Sequence, residues 1–135
     1  TLTKTTLTQG AGTTITNGAG AITIATSGSH VGAYFASEVA NTGATAQTIN
    51  WTLGNKQKST LTGNCTYTFT DPTGPASLIL RVIQDATGSR TITLPATVKL
   101  SGGTALVLTT TANKIDIIAL YYDGTNYYLT SSLNY

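Results

Sequence analysis

Along this chain apolar residues alternate with threonine and other small polar residues in short runs, and no stretch carries the spacing of an amphipathic helix. A period of two puts successive side chains on opposite faces of an extended chain, so the pattern predicts half-buried strands. Glycines and Asn-Gly or Asp-Gly pairs recur at short intervals and mark the turns. The predicted strands cover Val31 to Ala40, Thr48 to Leu53, the CTYTFT run from Cys65, SLILRVIQ from Ser77, TITLP from Thr91, Thr104 to Thr109, Lys114 to Tyr122 and Tyr127 to Ser132. In SLILRVIQ, Leu78, Leu80 and Val82 share one face, and Ile79, Arg81 and Ile83 share the other. That run and Ile115 to Tyr122 are apolar on both faces, which suits central strands covered by a second sheet on one side and a neighbouring subunit on the other. Strands separated by such frequent turns predict an all-β fold, an antiparallel β-sandwich of jelly-roll type.

The pattern changes along the chain. Residues 1–29 form a Thr/Gly-rich β leader in which Ile15, Ile22 and Ile24 are almost the only bulky side chains, with Asn17-Gly18 as its hairpin signal. So few apolar residues cannot close a core in one copy, so the leader is expected to pack on the rest of the domain or on adjacent chains. Residues 30–135 carry the aromatic and aliphatic side chains of a β-sandwich head domain.

Composition narrows the function classes. The 135 residues suit one domain of this size, and only 9% of them are charged, with a net charge of +2. Lys4, Lys56, Lys58, Arg81, Arg90, Lys99 and Lys114 form no run able to neutralise a line of phosphates, which argues against a nucleic-acid partner. Low charge also removes a safeguard against self-association, so an obligate assembly is expected. No apolar run reaches the length of a spanning helix, so no membrane insertion is expected. A leading Thr1 fits either a removed Met or a fragment of a longer chain.

Candidate chemistry is sparse. Cys65 stands alone and is expected to be buried and inert, and with the single His30 it falls short of a zinc set, so no metal and no cofactor are predicted. Asp71, Asp85 and Asp123 occupy the turns DPTG, DATG and DGTN, where an Asp side chain caps backbone N–H groups, and Gly88 and Gly124 are the turn glycines beside them. Glu38 and Asp116 are the acids outside those turns, and nothing in their spacing suggests a catalytic carboxylate pair. His30 has no nucleophile-elbow pattern around it. The chain is read as a non-enzyme.

Four stretches, LTGNCTYTFT, ILRVIQDATGSRTITLP, GGTALVLTTTANKIDII and YYDGTNYY, taken in order over about residues 51 to 128, resemble a module of virion proteins in tailed bacteriophages and prophages. The leader GAGTTITNGAGAITIATSG is similar to the Gly/Thr/Ile repeats of phage fibre shafts. The resemblance implies a homotrimeric β-structured virion protein, associated with other virion proteins, at the end of a tail fibre or spike. Its alternatives are a head fibre or capsid decoration without receptor binding and, more remotely, a polysaccharide depolymerase. It supplies no catalytic residues.

In that setting IALYYDGTNYYLTSS, from Ile118, becomes the candidate binding site. Strands 115–122 and 127–132 are expected to form a hairpin with Tyr122 opposite Tyr127 beside the turn. Alternation turns one tyrosine of each pair inward and its neighbour outward. Tyr122, Asp123, Asn126 and Tyr127 are the candidate ligand contacts, aromatic faces for sugar rings and polar groups for hydroxyls of a host surface polysaccharide. The competing reading is that the outward tyrosines fill a subunit interface.

Overall fold

The computed structural model describes Thr13–Gly18, Ala21–Thr26 and residues 37–135. The chain divides into two compact units, Thr1–Ala33 and Tyr34–Tyr135. In the first, β1 (Thr13–Gly18) and β2 (Ala21–Thr26) form an antiparallel hairpin in which Ile15 faces Ile24 and Gly18 faces Ala21. Asn17 and Gly18 therefore close β1 rather than forming the middle of the turn. His30, Tyr34 and Phe35, with the first part of the expected strand from Val31, lie outside the described residues.

The second unit contains β3 (Val39–Gly43), β4 (Ala46–Asn50), a 3-10 turn (Trp51–Leu53), β5 (Lys56–Leu61), β6 (Cys65–Thr70), β7 (Ala76–Ile83), β8 (Ile92–Thr93), β9 (Val98–Leu100), β10 (Ile115–Tyr122) and β11 (Tyr127–Ser132). A six-stranded sheet has the order β3-β5-β7-β10-β11-β9, and a three-stranded sheet has the order β4-β6-β8. Three successive passes, β3 to β4, β5 to β6 and β7 to β8, each leave the large sheet for the small one; the first two return one strand further on, and the third returns to β9 at the far edge of the large sheet. Within each sheet those strands are parallel neighbours, so the unit begins as a short solenoid. β10 then runs antiparallel to β7, β11 antiparallel to β10, and β9 parallel to β11.

The all-β expectation holds, and the antiparallel jelly-roll sandwich is corrected. Alternation fixes which face a side chain takes but not the direction of the neighbouring strand. Parallel neighbours need a crossover between them. Here that crossover is a strand of the second sheet, so short connections and parallel pairing coexist. Two strands escaped the pattern, β5 with the polar sequence KQKSTL and the short β9. The expected strand from Thr104 to Thr109 belongs to no sheet.

The core lies on the inward faces of these strands, with Leu78, Leu80, Val82, Ile118 and Leu120 packed against Ile49, Leu61, Cys65 and Tyr67. Burial pushes the Cys65 thiol up from its ordinary value, which keeps it unreactive. Part of the interior is polar. Ser59 donates to Gln47 Oε1 at 2.7 Å, and the Tyr67 phenol donates to Ser59 Oγ at 2.6 Å. Gln57 donates to the carbonyls of Asn50 and Gly54, while Asn41 donates to Gln57 Oε1. Gln47, Gln57, Ser59 and Tyr67 are buried but bonded, which removes most of the penalty for taking them out of water.

The outer face of the large sheet carries Ile79, Ile83, Ile117 and Ala119, interrupted by the ion pair of Arg81 with Glu38. Arg81 clasps both Glu38 carboxylate oxygens, and this bonding holds the Glu38 carboxyl below its ordinary value.

Candidate functional site

β10 and β11 meet in the expected register, Tyr121 opposite Tyr128 and Tyr122 opposite Tyr127, with Asp123 to Asn126 as the connecting turn. The Asp123 amide donates to the Asn126 carbonyl at 3.1 Å, and Asp123 Oδ1 accepts from the amides of Thr125 and Asn126, both at 2.8 Å. Those donors, Asn126 first, hold the Asp123 carboxyl below the usual carboxylate value. Gly124 has φ of 108°, a conformation that side chains resist, although open space surrounds the position a Cβ would take. The turn is thus fixed by one side chain and one residue without a side chain.

The two tyrosine pairs divide by strand parity. On β10, Asp116, Ile118, Leu120 and Tyr122 are buried, so Tyr121 faces out. Tyr122 and Tyr127 retain only 5% and 0% of their exposure, against 52% and 50% for Tyr121 and Tyr128. The ring of Tyr127 packs against Tyr122 at 4.5 Å and edge-on to Phe69 at 5.0 Å, and Phe69 stands edge-on to Trp51 at 5.6 Å. The Tyr127 phenol donates to Asp71 Oδ1 at 2.5 Å. Burial, reinforced by that carboxylate, pushes its pKa up.

Tyr122 and Tyr127 are therefore corrected from ligand contacts to members of an aromatic row inside the domain. Of these two pairs, the tyrosines that face solvent are Tyr121 and Tyr128, beside Asp123 and the half-buried Asn126. The carboxylate of Asp123 pushes the Tyr128 phenol up, which couples that outer ring to the turn. The sequence withheld this parity because Ile115 to Tyr122 is apolar at nearly every position. The buried row could not be read either, since it joins residues far apart in the chain.

The other turn residues have distinct parts. Asp85 Oδ1 accepts from the amides of Thr87 and Gly88, and Oδ2 bonds Arg90, whose guanidinium is the foremost cause lowering the Asp85 carboxyl. Gly88 has φ of 74°, and a Cβ there would lie 2.5 Å from the Thr110 carbonyl oxygen, so two constraints exclude a side chain. Asp71 receives the Tyr127 phenol and makes no backbone cap among the described residues, a correction of its expected part.

The two remaining acids, Glu38 and Asp116, are both held by bonding partners. Glu38 is held by Arg81 of the outer face. Asp116 points inward, 2% exposed, where it accepts from the Thr109 amide and hydroxyl, both at 2.7 Å, and from the Asn134 amide at 2.9 Å. Among the described residues, no group of three or more His, Cys, Asp or Glu could hold a metal ion. No described helix is long and apolar enough to cross a membrane.

A family model described as "Putative phage tail fibre C-terminal domain" matches residues 38–127. That span begins at Glu38 and ends at Tyr127, so it covers the solenoid passes, β10 and the tip turn. No curated protein and no solved structure matches the chain.

Proposed function

The chain belongs to the phage tail fibre C-terminal domain family, and from that premise we propose that it is the terminal domain of a homotrimeric fibre whose β10–β11 tip attaches to host surface polysaccharide. Family membership makes it a structural component of the virion, associated with other virion proteins. The attachment reading is carried by one observation, the pair of outward tyrosines, Tyr121 and Tyr128, set side by side next to the Asp123–Asn126 turn. Aromatic faces give a sugar ring an apolar surface to lie on, while Asp accepts from hydroxyls and Asn both donates and accepts. Two charged side chains of opposite sign stand at the tip, Asp123 in the turn and the exposed Lys99, which lies in register with Tyr128 on β9.

Three features support self-association. Ile79 is 37% exposed on the outer face, with Ile83, Ile117 and Ala119 partly open beside it. Charged residues are too few to keep copies apart. The trimeric number follows the sequence resemblance.

Purified protein added to host cells at saturating concentration is expected to block phage adsorption, and the same protein is expected to bind polysaccharide isolated from those cells. Undiminished adsorption at saturation would remove the attachment reading. Sedimentation or mass photometry at micromolar concentration checks the assembly, and a stable monomer would remove the trimer.

A further inference from the structure

Residues Thr104 to Thr109, TALVLT, read as a strand in the sequence, yet they belong to no sheet of the described residues. Leu108 is buried and Leu106 half-buried, whereas Val107 between them is 72% exposed. That is the alternation of a strand with one face on a core. Among the described residues, the backbone amides and carbonyls of Ala105, Leu106, Val107 and Leu108 have no backbone partner. Strand-forming residues with unpaired backbone groups normally mark a sheet edge waiting for a neighbour.

A second unpaired edge runs beside this segment. β11 pairs with β10 along its whole length, from Tyr127 to Ser132, but β9 covers its other side only from Tyr127 to Leu129. Among the described residues, Thr130 to Ser132 have no strand partner on that side, where the 3-10 turn Ser101–Gly103 follows β9. Between the two edges lies a groove of about 390 Å³, with Leu100, Leu106, Val107, Leu129 and Leu133 among its lining residues. Its walls are tied together from behind. The buried Asp116 carboxylate accepts from Thr109, at the end of one wall, and from Asn134, just past the other. Tyr135 exchanges backbone hydrogen bonds with Ile115 at 2.9 and 3.0 Å, which fixes the chain end that follows Leu133. The groove is therefore held open by bonded structure.

We infer that this groove receives an extended strand from a second copy of the chain, adding a strand to the large sheet across the subunit boundary. The charge pattern selects the occupant. None of the residues lining the groove is charged, and an uncharged slot that mixes aliphatic residues with Ser101, Thr104, Thr130 and Ser131 favours a Thr/aliphatic strand over the charged surface of an ordinary protein. This chain, with 9% charged residues and repeated Thr/Ile/Leu alternation, supplies such strands itself. Main-chain pairing gives the affinity in this mode of recognition, and the aliphatic residues of the groove accept alternate side chains of the incoming strand. The inference rests on the proposed self-association and names the surface through which it occurs.

The test compares the wild type with Val107→Lys and Leu133→Lys, each placing a charge in the groove at a residue already open to solvent. Mass photometry reads the assembly at micromolar concentration, and amide hydrogen exchange reads residues 105–108. Assembly of the wild type, dissociation of both variants to monomers with native circular dichroism, and exchange at 105–108 slowed about tenfold or more in the assembly are expected. An assembled wild type whose 105–108 amides exchange as fast as in a monomer would overturn the groove while leaving self-association standing. So would variants that stay assembled. A monomeric wild type would overturn both.

Discussion

Between β4, β5 and β6 the interior of the second unit includes a hydrogen-bonded polar net, whereas between β7 and β10 it is mostly aliphatic. In the first region Gln47, Gln57, Ser59 and Tyr67 are buried and bonded to each other or to the main chain. In the second, Leu78, Leu80, Val82, Ile118 and Leu120 meet with almost no polar atom except Asp116. β5 shares the large sheet with β7 and β10, while β4 and β6 belong to the small one, and all keep the alternation of inward and outward residues. They differ in what a substitution removes, namely volume in the aliphatic region and a bonding partner in the polar one. A polar net depends on every member, because an orphaned buried group keeps its desolvation cost after its partner is lost.

That difference sets the order of expected effects. Leu80→Ala, at a fully buried position of β7, should lower stability by about 2 to 5 kcal/mol in urea unfolding through the cavity it leaves. A loss under about 1 kcal/mol would mean that the aliphatic region is not the tightly packed half. Ser59→Ala comes next, at about 1 to 3 kcal/mol, because Gln47 Oε1 and the Tyr67 phenol both lose a partner. Adding Tyr67→Phe should cost less in that background than in the wild type, since it removes one of the two orphans. Strictly additive losses would show that Ser59 and Tyr67 are not coupled.

At the tip, Gly124→Val should cost roughly 1 to 3 kcal/mol by forcing a β-branched residue to positive φ, with no clash to relieve. Thermal melts in which Gly124→Val matches the wild type would contradict that backbone argument. Asp123→Ala should lower the melting temperature less, as only turn hydrogen bonds are lost.

The smallest effect is the response to pH. Glu38, Asp85 and Asp123 have carboxyl pKa values lowered by folding, so their contribution is full above the unfolded value of about 4 and lost as pH falls through the lowered values. Tyr67 and Tyr127 have raised values, so their contribution is full below about pH 10 and lost as pH rises beyond it. Melting temperature should therefore form a plateau between those limits. Glu38→Gln should soften the acid edge, and Tyr67→Phe should soften the alkaline edge. An alkaline edge unchanged by Tyr67→Phe would show that its neutral phenol is not what the polar region protects.

The same comparison explains what could be read from the chain. β7, β10 and β11 were legible because their side chains are apolar and their turns carry Asp-Gly or Gly signals. β5 was hidden because its inward residues include Gln57 and Ser59, which look like loop until their partners on β3, β4 and β6 are in place. The parallel winding was hidden for a related reason, since strand direction is decided by long-range pairing. The hairpin tip was legible down to its register and its glycine. Which tyrosine of each pair faces water was not, because β10 carries no polar alternation to reveal its parity.

The claim that matters most is that the outer tyrosines serve attachment and the inner ones stability. Binding of isolated host polysaccharide, measured alongside thermal melts for Tyr121→Ala/Tyr128→Ala and for Tyr127→Phe, separates the two. The outer double variant is expected to bind about tenfold or more weakly, a change of roughly 1.4 kcal/mol, with its melting temperature nearly that of the wild type. Tyr127→Phe, which loses only the bond to Asp71, is expected to melt lower and bind as before. Undiminished binding by the outer double variant, or binding that falls only in step with melting temperature, would contradict the account.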